Sequence, residues 1–391
     1  MTSSSRRTAP YPLSDAPADV GRFPLWASLA VLTLAAVLLV LVPRAAWPFL
    51  QGTRWVNILV GSGLVSFGLT PLVVRAARRL GILDVPASRK VHSVPTPLLG
   101  GLAIYVAFAA AILANSIYDR QIVAILSGAT LLVLVGVLDD ILDVPAAVKM
   151  LAQLAATGIV IGSGVVLTLF PHVGMGNLID GALTVIWLLG ITNAMNFFDG
   201  MDGLATGLSI ITASFLGLFA FLTYQPFLGW LAAAMVGSCL GFLPFNFRPR
   251  APAAIFLGDS GSTFLGFVLA ALAVKGEWAE NSAVDIAGPV LIFWVFIYDM
   301  TYITVARIAT GKVRSFRDWI AYVGRDHLHH RLASLLGSNR NAVVLVFAVS
   351  VCMGLAGIAL VRARTLEASL LILQAVFVAF IFAVLEHAGR R

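Results

Sequence analysis

Charge is scarce in this chain: Asp, Glu, Lys and Arg together make up 12% of its 391 residues. A soluble domain carries about 25%, so no water-facing shell can be assembled here and a soluble domain is not expected. Cysteine is nearly absent too. The two copies, Cys239 and Cys352, lie in apolar stretches without metal-type spacing, which leaves them as packing residues rather than a disulfide framework or zinc cage. Nor is there a basic face interleaved with aromatic residues. The net charge of +7 therefore points away from nucleic acid and toward anionic lipid headgroups and phosphate ligands.

What the chain has in abundance is apolar surface, 59% of residues being hydrophobic. The mean hydropathy is +0.94. Stretches 25–42, 343–361 and 369–385 carry no charge, and each is long enough to cross about 30 Å of hydrocarbon as a helix. The expected fold class is all-α, a polytopic transmembrane helical bundle of 11–12 spans. Their bounds are near 25–42, 56–74, 98–115, 121–138, 148–170, 181–196, 204–223, 227–244, 262–274, 287–306, 343–361 and 368–385. Residues 1–24, rich in Ser, Pro, Ala and Asp, read as a disordered cytoplasmic tail, too long and polar for the start of a signal peptide. Residues 25–391 then form one transmembrane domain.

Charge asymmetry orients that domain. With the amino terminus inside, only Arg44, Arg54, Arg120, Lys275, Arg362 and Arg364 of the 26 Lys and Arg fall in outer loops. The positive-inside rule places both termini in the cytoplasm, in a cell membrane. Nearly all the Asp and His residues of the polar motifs gather on that side.

Five polar motifs stand out between residues 80 and 335. In LLVLVGVLDDILDVPAAVK, Asp139, Asp140 and Asp143 form one acidic helix face ahead of Lys149. An acidic helix cap is the plain alternative. Carboxylates at membrane depth each cost about 2.5–3.5 kcal/mol on insertion scales, so a cluster needs water, a cation or a proton. NAMNFFDGMDG sets Asn193, Asn196, Asp199 and Asp202 at intervals of three. That gives an oxygen-only donor set suited to Mg²⁺ and phosphate, a tight inter-span turn being the alternative. IFLGDSGST offers Asp259 between glycines, a further metal or phosphate seat, with a plain turn as the alternative. GDSG also surrounds the nucleophile of trypsin-like proteases, but the chain lacks their alternating short strands. RDHLHHRL clusters His327, His329 and His330 with two arginines, which suits a diphosphate; zinc and a solvated basic loop are the competing readings. DVPASRKVHSVPTPLLGG carries Lys90 and His92 on the same side as the acids.

Taken in order, these motifs resemble those of the polyprenyl-phosphate N-acetylhexosamine-1-phosphate transferases, which include phospho-MurNAc-pentapeptide translocase and the GlcNAc-1-phosphate transferases. The resemblance covers roughly residues 80–335. It implies a Mg²⁺-dependent exchange, with Mn²⁺ as an alternative metal, in which a polyprenyl (undecaprenyl or decaprenyl) phosphate attacks the β-phosphate of a UDP-sugar and UMP leaves. Such a step opens a cell-envelope glycan pathway.

By position, Asp139 and Asp140 match the aspartate pair that binds or deprotonates the lipid phosphate, with Asp199 as a further catalytic acid. Asn196 and Asp259 match metal ligands. Lys90, His92, Lys149, Asn193, Asp202, His327, His329 and His330 match the substrate-binding set. The ending HLHHRL is closer to the GlcNAc type than to the HHHFE-like ending of the MurNAc-pentapeptide enzymes, which favours UDP-GlcNAc. A homodimer is compatible with the resemblance. Leu98 stands where many members have Arg, and RPRAPAA is longer than usual. The rival from another class is a secondary transporter, whose intramembrane acids sit at the midplane between repeats; no such repeat is visible.

Overall fold

A computed structural model describes residues 24–41, 51–86, 94–171, 174–248, 250–278, 282–313, 324 and 326–388. Residues 1–23 of the expected tail, and Lys90 and His92, lie outside the described residues. Among the described residues the chain is helical apart from one two-residue strand pair, β1 (Leu83–Asp84) against β2 (Thr96–Pro97), antiparallel with Leu83 opposite Pro97.

The helices are α1 (Leu25–Ala36), α2 (Arg54–Leu80), α3 (Gly100–Ala114), α4 (Arg120–Leu142), α5 (Ala146–Gly162), α6 (Met175–Phe198), α7 (Leu204–Leu222) and α8 (Pro226–Asn246). They continue as α9 (Asp259–Lys275), α10 (Ser282–Ile292), α11 (Trp294–Ala309), α12 (Leu328–Leu336), α13 (Asn339–Ala359) and α14 (Thr365–Ala388). Seven of them, α2, α4, α6, α7, α8, α13 and α14, are long and apolar enough to cross a membrane, and the bent pair α10 and α11 makes an eighth candidate. Helices α1, α3 and α5 are apolar but shorter. Each of the expected spans contains a helix, yet several are too short for the sequence-based count.

The reasons for the differences are local. The expected 148–170 span stops at Gly162, where Ser163 and Gly164 turn the chain, Gly164 at φ +96°. The segment after it instead gives its backbone N–H groups to α6: Leu167 to the Thr184 hydroxyl at 2.9 Å, and Leu169 to Asp180 at 3.2 Å. The 287–306 span is broken, α10 and α11 meeting at 75° just beyond Gly288 and Pro289, where proline removes a helical donor. Many Ser and Thr hydroxyls inside the helices are absorbed by the carbonyl four residues back, as Thr70 does to Ser66 at 2.7 Å.

The core is organised around α9. Every residue from Ser260 to Val274 is buried, and α9 packs on α3, α4, α6 and α7. Small residues permit this. A methyl group on Gly136 of α4 would lie 2.4 Å from Ser260 Cα, and one on Gly101 of α3 would lie 2.1 Å from Gly261 Cα. Backbones therefore meet directly, the arrangement that small residues allow between apolar helices where no hydrophobic effect drives association. The segment before α9 is fastened to α3 by Gly101 N–H to Leu257 C=O at 2.8 Å and to β2 by Phe256 N–H to Pro97 C=O at 2.8 Å.

Gly136→Val is expected to separate α4 from α9 and to cost at least about 1–3 kcal/mol, the usual penalty of overpacking, read as a lowered unfolding temperature in detergent. Gly158→Ala is the contrasting case. No atom lies within 4 Å of the added methyl, so this exposed-side change within α5 should leave stability unchanged or raise it by up to about 1 kcal/mol.

Candidate active site

Four helix ends meet at one end of the bundle: the carboxyl ends of α4 and α6 and the amino ends of α5 and α9. Helix α4 terminates at Asp143, which adopts φ +60°, and its N–H returns to Asp139 C=O at 3.1 Å. Asp139 Oδ1 accepts from Val144 N–H at 2.7 Å, so the carboxylate is held by its own turn. Pro145 then opens α5 with a fixed φ. One turn later Lys149 Nζ reaches Asp139 Oδ2 at 3.1 Å and Asp259 Oδ2 at 2.9 Å. A single ammonium thereby joins three helices.

Asp140 faces the other way, into the start of α9. Its Oδ1 accepts the Asp259 backbone N–H at 3.0 Å and its Oδ2 the Ser260 hydroxyl at 2.9 Å. The first N–H groups of a helix have no partner within it; a carboxylate from a neighbouring helix supplies one here and also sits at the positive end of the dipole. Gly258 makes room for it. With φ +77°, it sits so close that a methyl group would fall 2.5 Å from Asp140 Oδ2.

From α6, Asn196 Nδ2 donates to Asp259 Oδ1 at 3.1 Å and to Ser262 Oγ at 2.9 Å. Asn193, one turn earlier, exchanges amide bonds with Gln153 of α5 at 2.8 and 3.3 Å, so α5 and α6 are stitched one turn behind Lys149 and Asn196. Asp199 follows the last turn of α6, its N–H bonded to Asn196 C=O at 3.2 Å. Burial first, then the carboxylates of Asp259 and Asp140, hold its pKa well above the usual carboxylate range. Asp202 is turned to the linker, accepting Ala253 N–H at 3.0 Å.

The histidine motif docks on the same end. His327 stacks on Phe197 with ring centroids 4.5 Å apart. His329 is fully buried, and neither of its ring nitrogens has a hydrogen-bond partner among the described residues. It lies against the DGMDG turn: a methyl on Gly200 would be 2.8 Å from Nε2. Burial, reinforced by His330, His327 and Arg331, pushes its pKa well below the usual imidazole value, so it is neutral at pH 7. The segment before it is tethered by Arg307, whose Nε and Nη2 grip Asp326 at 2.9 and 2.7 Å.

Asp139, Asp140, Lys149, Asn196 and Asp259 are thus linked by direct bonds, with Asp199 beside them. Asn193 and Asp202 bond at the periphery of this group, and the three histidines cover the end of α6. Gln153, Ser260, Ser262 and Asp299 were not singled out in the sequence. Gln153 stands a turn from Lys149 within an apolar run, Ser260 and Ser262 lie inside the GDSGST motif as uncharged neighbours of Asp259, and Asp299 has no motif around it.

Mg²⁺ fits this donor set. The acids are oxygen donors of the kind that suit a hard divalent ion, and Lys149 is the one cation bonded directly to Asp139 and Asp259 among the described residues. Among the described residues, no group of three or more His, Cys, Asp or Glu stands close enough to hold a metal ion.

Comparison with known proteins follows the same outline. The Glycosyl transferase family 4 model matches residues 122–277, from α4 to just past α9. A probable undecaprenyl-phosphate N-acetylglucosaminyl 1-phosphate transferase of Bacillus subtilis is 34% identical over 338 residues, 84% of this chain and 91% of that protein. A decaprenyl-phosphate N-acetylglucosaminephosphotransferase of Mycobacterium leprae is 31% identical, covering 81% and 85%. The undecaprenyl-phosphate alpha-N-acetylglucosaminyl 1-phosphate transferase of Escherichia coli K12 is 27% identical, covering 70% and 74%.

Lys149→Met would leave Asp139 and Asp259 without their shared cation, and thermal unfolding in detergent should report a loss of about 1–3 kcal/mol, reduced from the fully buried case by partial exposure. A second expectation concerns pH. Because the folded pKa of His329 is depressed, its contribution to stability is present above the unfolded value, about 6.5, and is lost as pH falls below it. His329→Phe should make the fall in unfolding temperature between about pH 7 and pH 5 shallower; an unchanged slope would show that this imidazole is not buried in the neutral form.

Proposed function

Because the chain belongs to the polyprenyl-phosphate N-acetylglucosamine-1-phosphate transferases of glycosyl transferase family 4, we propose that it moves GlcNAc 1-phosphate from UDP-GlcNAc to a polyprenyl phosphate and releases UMP. The observation that carries this reading at the site is the chain of contacts from Asp139 through Lys149 and Asp259 to Asn196, each between 2.9 and 3.1 Å, drawn from four separate helices. The site lies at a bundle end whose sequence neighbours hold most of the basic residues, and this supports a cytoplasmic active site with both termini on that side.

In the transfer, an oxygen of the lipid phosphate attacks the β-phosphorus of UDP-GlcNAc. A new P–O bond forms, the bond from that phosphorus to the bridging oxygen breaks, and UMP leaves with the electron pair. A phosphate monoester has its second pKa near about 6 and is mostly dianionic at neutral pH. Asp139 therefore has little deprotonation to perform, and its role is to align the acceptor through Lys149. Asp140 keeps the amino end of α9 in place, which aims Asp259. Asn196 and Asp259 would hold Mg²⁺, or Mn²⁺, which offsets the charge of the diphosphate. His327, His329 and His330 close over the UDP-sugar, and Lys90 and His92, which fall between β1 and β2 in the sequence, complete the substrate-binding set. Positioning and electrostatics carry the rate, and transfer is direct and in line.

Purified protein in detergent, given radiolabelled UDP-GlcNAc, undecaprenyl phosphate and Mg²⁺, should form a lipid-linked product and UMP in equal amounts. Chelation should stop the reaction and Mg²⁺ or Mn²⁺ restore it, and Asp259→Asn should slow it about 10²–10³-fold. Solute movement across vesicles with no UMP formed would sustain the transporter reading instead. A phosphoenzyme trapped on Asp199 with UDP-GlcNAc alone would contradict direct transfer.

A further inference from the structure

Asp299 lies in the middle of α11, apart from every motif, and is completely buried. A carboxylate in that position needs strong partners, and all three given to it come from the histidine segment. Its Oδ2 lies 2.8 Å from His327 Nδ1, its Oδ1 accepts the Leu328 backbone N–H at 2.6 Å, and Arg331 Nη2 stands 3.5 Å from Oδ1. His327 is the residue that precedes α12 and makes no side-chain cap of its own. Asp299 therefore does two things at once: it receives an otherwise orphan donor of the first turn of α12, and it fixes one nitrogen of the imidazole beside that turn.

The geometry determines which nitrogen remains. Nδ1 is the nitrogen engaged by Asp299, 2.8 Å from its Oδ2, so Nε2 is the ring nitrogen turned away from the carboxylate. The ring cannot swing away, because its face rests on Phe197, next to Asn196 at the end of α6. Neighbouring bonds brace the same segment. Arg307, two turns along α11, holds Asp326 in a bidentate grip, and the Arg331 guanidinium lies 4.4 Å from the centre of the Tyr302 ring, also on α11.

From these contacts we infer that Asp299 is a positioning residue for the transfer, setting the His327 imidazole over the end of α6 so that Nε2 engages the UDP-sugar. The inference rests on the reading of the histidines as UDP-sugar contacts. Asp299 itself touches no reacting atom.

The test is a pair of single variants and their double. Asp299→Asn keeps the side-chain shape but cannot accept both the imidazole and the backbone N–H as a charged acceptor. It should raise KM for UDP-GlcNAc about tenfold, with KM for undecaprenyl phosphate unchanged and kcat within about threefold. His327→Gln should raise the same KM. In the double variant, Asp299→Asn should add less than about twofold, because its effect passes through His327. A full tenfold increase on top of His327→Gln would overturn the inference, since Asp299 would then act through the fold alone. If His327→Gln leaves KM unchanged while the wild type still forms UMP, the histidine role falls and the inference with it, but the transferase reading stands. Should Asp299→Asn aggregate, Asp299→Glu takes its place in the same cycle: a rise in KM for UDP-GlcNAc that vanishes in the His327→Gln background supports the inference, and an equal rise in both backgrounds overturns it.

Discussion

A helix that begins inside a membrane bundle needs partners for its first backbone donors, and the rest of this structure follows from how α9 obtains them. Asp140 accepts the Asp259 N–H and the Ser260 hydroxyl, which turns an unfavourable buried carboxylate and an unfavourable buried helix end into one satisfied contact. With the end of α9 so anchored, Asp259 is delivered to Lys149 and Asn196, and the acids of α4 and α6 come into one cluster. At the far end of the same two helices, Lys275 of α9 bonds Asp119, the residue that caps α4, at 3.1 Å. The pair α4 and α9 is thus clamped at both ends, and the geometry of the acidic cluster is set by one of the clamps.

Separating the adjacent aspartates is the main functional consequence. Asp139 is bound by its own turn and by Lys149; Asp140 is spent on α9. Two residues that look equivalent in the chain therefore face different partners, and their substitutions need not have the same effect. The histidine segment adds a second layer from the opposite side, carried by α11 through Asp299 and Arg307. Its attachment to α6 runs through aromatic faces, Phe197 to His327 and Phe198 to His329, so the histidine segment is braced by contacts other than those of the acids.

Much of this was legible in the sequence, and for physical reasons. Long uncharged runs reported the helices, because a bilayer leaves few other ways to satisfy the backbone. The polar residues stand out against that background, so Asp139, Asp140, Lys149, Asn196 and Asp259 are conspicuous in the sequence alone. Helix length was less legible: hydropathy does not register the Ser163 and Gly164 turn that ends α5, or the break between α10 and α11. Asp299 escaped notice because an isolated carboxylate among apolar residues has no spacing to read; only its partners, 28 and more residues away, give it meaning. The reciprocal Gln153 and Asn193 amides were hidden for the same reason.

The central claim is that Asp140, by anchoring α9, prepares Asp259 and Asn196 to bind the divalent ion. The most direct measurement is a Mn²⁺ titration of the purified protein with UDP present, followed by electron paramagnetic resonance. One tightly held ion per chain is expected, lost in Asp259→Asn and weakened about tenfold or more in Asp140→Asn, as for other residues that orient ligands from behind. Unchanged Mn²⁺ affinity in both variants would contradict the account.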